Sequence, residues 1–322
     1  MTFSVGIPTY NRIDELKRCL ASLREQTFRD FSVVVANGGD EAAVREAVAG
    51  FSDLTVRVVT QQKRGIVAAR NLCWRASSAD VVCIIDDDIV VSPRWLEEVR
   101  LSFLRDERIA GVSGPTLIPE ELSGERDLAM LLENQSGNPF LRVARMLYLS
   151  LILENKLSQV GRILKSGAFT PGSNFRSCLS LPGEVDVDYL EACHMCFRRQ
   201  AVERAGGFDD FYGIVGDWSE PDLSFKIRRS GGRLVFNPRA VTWHRISRSG
   251  AYGARTNSFE RSNNFVHFYR RWIKPDSLEK CARFGANLVF INLYWFYKFL
   301  RSGNSDWLRG ISGMLAGFRE KL

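Results

Sequence analysis

Short apolar runs alternate with amphipathic stretches through the first 115 residues of this 322-residue chain, and that alternation is its strongest constraint on fold. Phe3–Ile7, Phe31–Ala36, Thr55–Thr60, Val81–Ile85 and Ile109–Ser113 are rich in Val and Ile and read as strands. Between them, Ile13–Gln26 places Leu16, Leu20 and Leu23 at helical spacing. Glu41–Val48, Ile66–Ala76 and Pro93–Leu104 read as further helices, the last with Ser92 as N-cap and Pro93 in its first turn. The alternation predicts an α/β fold, a mostly parallel sheet flanked by helices on both faces. Such sheets bind ligands beyond the carboxyl ends of their strands, so the residues just after each apolar run are the candidates for chemistry.

The pattern changes after residue 115. Leu128–Leu132 and Phe140–Leu164 have helical spacing, and Gly161–Gly183 is rich in Gly, Ser and Pro, the composition of a loop or lid. Strand-like runs return at Val185–Leu190 and His194–Arg198. A helix is expected from Pro221 to Arg229, ending at Gly231-Gly232, followed by short strands at Arg233–Phe236 and Ala240–Trp243. From Asn257 onward the pattern is helical. The chain divides into residues 1–255, with 116–185 as a helical insertion, and a helical region 256–322.

Charge follows that division. Residues 1–225 hold 25 Lys and Arg against 32 Asp and Glu, whereas residues 226–322 hold 19 against 5 and carry 17 of the 36 aromatics. A basic, aromatic-rich segment faces phosphates or a membrane surface. Phe265, Phe268, Tyr269 and Trp272 interleave with Arg270, Arg271 and Lys274, which suits either a packed helical subdomain or docking on an anionic bilayer. No nucleic-acid motif accompanies the charge. Phe284–Leu300 is the nearest approach to a transmembrane run, but it contains Asn287, Asn292 and Lys298. The opening Met1–Tyr10 lacks a basic segment followed by a long apolar one, the expectation for a cytoplasmic chain. Seven scattered cysteines suit reduced thiols, and the lone Cys193/Cys196 pair lacks a second ligand pair for zinc.

The strand ends carry the chemistry. Asp86-Asp87-Asp88 follows Val-Val-Cys-Ile-Ile, and three successive carboxylates at a buried strand tip repel one another unless a divalent cation is present. The plainer alternative is a solvated acidic turn. Pro8-Thr9-Tyr10-Asn11-Arg12 puts a hydroxyl, a ring and an amide after the first strand, with Asn11 also a candidate helix cap. Arg64 and Arg70 flank the third strand's exit and suit nucleotide phosphates, or a solvated helix face. In Trp218-Ser219-Glu220-Pro221-Asp222-Leu223, Pro221 fits the first helical position, which makes Glu220 a candidate N-cap carboxylate, as a base or as a plain cap. His244 ends a short strand and could complete an Asp-plus-His metal site or serve only structure.

In order, these motifs resemble the family 2 inverting glycosyltransferases, which have the GT-A nucleotide-sugar-binding fold. The resemblance runs from Ser4–Arg12 through Arg64-Gly65, Arg70-Asn71, Asp86–Asp88, Arg198-Arg199, Gly206–Asp209 and Glu220–Leu223 to His244. It implies transfer of a sugar from a nucleoside-diphosphate sugar to a hydroxyl of a saccharide or polyprenyl-diphosphate-linked acceptor, in polysaccharide or glycolipid assembly. It places Pro8, Thr9, Tyr10, Arg12, Asn37, Arg64, Arg70, Asp86 and Asp87 at the donor. Asp88, Asp86 and His244 would hold Mn²⁺ or Mg²⁺. Glu220 falls at the general base, with Asp222 as the alternative. A nucleotide-sugar-binding scaffold that has lost transfer is the rival reading; a nucleotidyltransferase lacks its Gly-rich, Lys-containing opening loop here.

Two positions depart from the family pattern. Ala36 stands where an acidic residue often reads the base, leaving Asn37 or Asp40 for that role and uridine, thymidine and guanosine donors all open. The usual Glu-Asp pair before the late helix is Ser219-Glu220. Residues 116–185 are expected on the acceptor side, where Arg142, Arg145 and Arg162 would meet an acceptor phosphate or lie on solvated helix faces.

Overall fold

The computed structural model describes residues 1–125, 139–246 and 257–321. The expected alternation is present: β1 (Phe3–Thr9), α1 (Ile13–Arg24), β2 (Phe31–Asn37), α2 (Glu41–Ala49), β3 (Val56–Thr60), α3 (Ile66–Arg75), β4 (Val81–Ile84), β5 (Ile89–Val91), α4 (Trp95–Arg105) and β6 (Ile109–Ser113). There follow β7 (Thr116–Leu117), α5 (Pro139–Leu147), β8 (Val160–Ile163), β9 (Phe169–Pro171), β10 (Val185–Asp186), β11 (Met195–Arg198), α6 (Arg199–Arg204), α7 (Ser219–Arg229), β12 (Arg233–Phe236) and β13 (Thr242–His244). The tail contains α8 (Ser258–Phe268), α9 (Leu278–Ser302) and α10 (Gly310–Arg319).

The main sheet has the order β10-β12-β6-β11-β4-β1-β2-β3, with β11 antiparallel to its neighbours β4 and β6. Successive residues of one strand feed opposite cores. Val81 and Cys83 of β4 pack with Leu16 and Leu20 of α1 and with Trp95 and Val99 of α4, while Val82 and Ile84 pack with Val67 and Cys73 of α3 and with Leu223 and Ile227 of α7. Two buried faces explain why the strands read as continuous apolar runs. A Cβ on Gly6 would lie 2.5 Å from that of Cys73, so only glycine lets α3 lie this close to β1.

The chain leaves β1 for β2 on one side and later returns to β4 on the other. The crevice between the carboxyl ends of β1 and β4 is therefore a topological switch point. A second sheet, β5-β13-β7, crosses it: β13 runs antiparallel to β5 with His244 opposite Ile89. That pairing carries His244 to the Asp86–Asp88 turn.

Several expectations need correction. Phe140–Leu164 is not one helix: α5 passes into a π-helical turn at Tyr148–Ile152, Glu154 and Asn155 adopt positive φ, and the chain enters β8. The Gly161–Gly183 segment contains β9 as well as loop, and Val185–Leu190 is a strand for only two residues. α4 starts at Trp95, after Ser92 and Pro93, with no side-chain cap. Leu128–Leu132 lies outside the described residues. In the tail, the packed alternative holds for Phe265, Phe268 and Tyr269, which are core, with the Trp218 ring stacked on Phe268 at 5.0 Å. Among the described residues no helix is long and apolar enough to cross a membrane.

Candidate active site

The carboxyl end of β1 meets the turn after β4 through side chains that neutralise one another. Thr9 Oγ1 donates to Asp87 Oδ2 at 2.8 Å. The Arg12 guanidinium pairs with Asp87 and lies 2.8 Å from Asp88 Oδ2. His244 Nε2 lies 3.4 Å from Asp88 Oδ1. Burial drives the Asp87 pKa up to about 7 against the pull of Arg12. Asp88 is also buried, yet the hydrogen bond from His244 and the Arg12 charge overcome that and hold it well below the usual carboxylate range. Burial opposes the Arg12 charge, but Asp87 and Asp88 outweigh it and raise its pKa.

Whether Asp86, Asp88 and His244 suit a divalent cation can be judged from their free valences. The buried Oδ1 of Asp86 has no hydrogen-bond partner among the described residues, and Asp88 Oδ1 meets only His244 Nε2, at 3.4 Å. Two carboxylates with one imidazole form a hard donor set of the kind Mn²⁺ and Mg²⁺ accept. The three side chains are not gathered into a finished cage: among the described residues no group of three His, Cys, Asp or Glu converges on one ion position. The residues fit the ion, with water and a diphosphate left to complete its shell.

The other half of the site is built by α3 and α7. Gly65, with φ 121°, caps α3; a Cβ there would meet Ile214 Cα at 2.9 Å, so the 213–216 loop closes over the helix start. Asn71 then clamps the Gly-Gly-Phe segment: its Nδ2 donates to Phe208 O at 2.9 Å and its Oδ1 accepts from Phe208 N at 3.0 Å. Next to that clamp, Arg70 forms a buried ion pair with Glu220 and donates to Ser219 Oγ at 3.1 Å. Burial opposes the Arg70 charge, but Glu220, then Asp86 and Cys193, raise its pKa above the ordinary value. Burial raises the Glu220 pKa, and Arg70 only partly offsets it.

Glu220 is not the N-cap. α7 begins at Ser219, with Trp218 in the left-handed region (φ 75°) as the preceding residue. Glu220 is the second helical residue and Pro221 the third, where a missing N–H still costs nothing. The carboxylate remains in the first turn, at the positive end of the helix dipole. Asp222 points elsewhere: its Oδ1 accepts from Trp272 Nε1 at 2.7 Å and Tyr212 Oη at 3.2 Å, and Lys226 Nζ lies 2.8 Å from Oδ2. It ties the tail to the sheet and does not join Glu220.

The remaining donor-side candidates separate into two kinds. Pro8 is buried in β1. Tyr10 is 44% exposed beside Gly38, presenting a ring at the mouth of the crevice. Arg64 is exposed to solvent. Asn37 is buried and spent on its own turn, its Oδ1 accepting from Gly39 N at 2.9 Å. Asp40 caps α2 by accepting from Ala43 N. Arg162 is held by Asp188 at 3.5 Å. A groove of about 570 Å³ lined by Arg108, Arg228, Arg233 and Arg271 lies at the amino-terminal edge of β6 and β12, away from this chemistry.

Two side chains escaped the sequence reading. Cys193, the first cysteine of the CxxC pair, donates from Sγ to Asp86 Oδ2 at 3.4 Å and lies 3.9 Å from His244 Nδ1. Its partner Cys196 is buried within β11, and none of the seven cysteines forms a disulfide. Glu191 bonds the Ser173 hydroxyl and Tyr189 Oη, keeping some solvent access while protein surrounds it densely. That burial raises its pKa, and it senses the charges of both His244 and Glu220.

Comparisons with known proteins agree with this architecture. Residues 4–150 match the profile described as Glycosyl transferase family 2. A chondroitin synthase of Escherichia coli is 26% identical over 245 residues, 75% of this chain and 34% of the synthase. The chain spans about a third or less of the length of the first curated relatives it matches. The mannosyltransferase PcManGT from Pyrobaculum calidifontis, solved with GDP-Man and Mn²⁺, superposes with a TM-score of 0.52 at 17% identity, over 98% of this chain and 85% of that one. GalNAc-T7, solved with UDP, GalNAc and Mn²⁺, gives 0.59 at 15% identity, over 92% and 51%. The structural likeness shows a shared GT-A architecture, and residues 4–150 of the chain are similar to glycosyl transferase family 2.

Proposed function

We propose that this chain is an inverting, divalent-metal-dependent glycosyltransferase. It moves a sugar from a nucleoside-diphosphate sugar to a hydroxyl of a saccharide or lipid-linked saccharide acceptor, in cell-surface polysaccharide or glycolipid assembly. The observation that carries this reading is the position of Arg70, which pairs with Glu220 in the buried interior and lies within the field of Asp86. One guanidinium thus links a candidate base to a candidate cation site.

Glu220 accepts the proton of the acceptor hydroxyl as that oxygen attacks the anomeric carbon. Its raised pKa strengthens it as a base. The bond from the anomeric carbon to the diphosphate oxygen breaks on the opposite face, and its electron pair leaves with the diphosphate. Arg70 offsets the charge that develops there. Asp86, Asp88 and His244 would hold a divalent cation, which when bound would supply further positive charge at the leaving diphosphate. Tyr10 and Thr9 border the nucleobase side of the crevice. A single displacement without an enzyme nucleophile inverts the anomeric centre.

The stereochemistry provides the test. Proton NMR of the first product formed from an α-linked donor should show a β-linkage. An α-linked product would exclude single displacement.

A further inference from the structure

α9 is apolar on two sides, and the structure covers one of them. Phe284, Asn287 and Trp295 are buried on its inner side. Val289, Leu293, Phe296 and Leu300, at i, i+4, i+7 and i+11, form an exposed outer stripe, with Leu293 60% accessible. α10 repeats the design. Gly313 and Gly317 allow its inner side to press against α8, where a Cβ on Gly313 would lie 2.1 Å from Phe259 O. Ile311, Leu315 and Phe318 face outward at i, i+4 and i+7. The two helices are neighbours, with the Phe284 and Phe318 rings 6.1 Å apart. A helix apolar all round is normally covered all round, and exposed apolar stripes of this size mark an interface.

We infer that the outer faces of α9 and α10 dock in the interface of an anionic bilayer, lying in its plane. This deepens the proposal of a lipid-linked acceptor, while its failure would leave the transfer chemistry standing. Charge selects the occupant. Arg301, Arg309, Arg319 and Lys321 are exposed on or beside the two helices, against Asp306 and Glu320, whereas Lys298 turns inward over the Tyr294 and Trp307 rings. Two copies packed stripe to stripe about a two-fold axis would bring these cationic flanks together. Anionic headgroups neutralise them while the acyl boundary receives the apolar residues. Neither helix is long and apolar enough to span the membrane, so the association is peripheral.

Vesicle flotation tests this with phosphatidylcholine alone and with added phosphatidylglycerol. The wild-type chain should float with the anionic vesicles and release from them in high salt. Leu293→Glu with Ile311→Glu should lower flotation about tenfold or more while nucleotide release with a soluble acceptor is unchanged. Arg301→Glu with Arg319→Glu should remove the preference for anionic vesicles; it decides the matter if the apolar pair proves misfolded. Absence of wild-type flotation on both vesicles would overturn the inference. So would undiminished flotation of the apolar variant, or a dimer that this variant breaks without any vesicle binding.

Discussion

Arg70 of α3 and Glu220 of α7 form an ion pair buried between two helices that are far apart in sequence. Burial pushes the Glu220 carboxyl up, and Arg70 is the main influence pulling it down. Replacing Arg70 with Met leaves Glu220 buried without its cation, so its pKa rises further. The acid limb of the kcat pH profile should move to higher pH, because more base is needed to ionise Glu220. Stability should also fall by about 3–5 kcal/mol, the usual cost of orphaning a buried charge. An unmoved acid limb in a folded Arg70→Met variant would separate Glu220 from proton transfer.

His194 gives the fold an acid sensitivity distinct from the active site. Its Nε2 accepts from Trp95 Nε1 at 2.8 Å, and burial lowers its pKa to about 3 from an ordinary 6.5. The unfolded chain therefore binds a proton at pH values where the folded chain does not. The resulting stability is present above the unfolded pKa and is lost as pH falls toward the folded one. His194→Phe should cost about 1–3 kcal/mol at neutral pH by stranding the Trp95 N–H, yet show a flatter decline on acidification. Thermal unfolding across this range checks it, and parallel declines in the two proteins would contradict it.

Asn71 is a structural clamp with three hydrogen bonds, to Phe208 N, Phe208 O and Trp74 Nε1. Asn71→Ala leaves these groups without their partner in the interior and should cost about 2–3 kcal/mol in urea unfolding. A loss below about 0.5 kcal/mol, typical of surface positions, would remove the clamp role.

Chelation should abolish transfer, and Mn²⁺ should restore it. Asp88→Asn should lower kcat by about a hundredfold or more even in excess Mn²⁺, as charge stabilisation of the leaving group is lost. Full activity in EDTA would contradict a metal-assisted departure.

The strands and helices of the first 115 residues were legible because each short run had one period and clear boundaries; Ile109–Ser113 appears with the same ends in both readings. The Asp86–Asp88 turn was legible because three carboxylates after five apolar residues have few cheap explanations. Cys193 and Glu191 were not, since their meaning depends on β11 and β13 meeting β4 and β5 across the crevice, which no local pattern encodes. The same holds for Asp222: the family resemblance offered it as the alternative to Glu220, but the helix turns it to the opposite side, where Trp272 and Lys226 hold it. The tail aromatics stayed open between packing and docking because helical spacing alone does not say which face of α8 is covered.

Glu220 acts as the base of an active transferase, and its removal tests this most directly. Release of nucleoside diphosphate from a panel of nucleotide sugars, with Mn²⁺ and acceptor, measures it directly in wild type and Glu220→Gln. The account predicts turnover by the wild type and a loss of about 10²–10⁴-fold in the variant, with donor binding retained. Unchanged turnover in Glu220→Gln, or no turnover of any donor by the wild type, would contradict it.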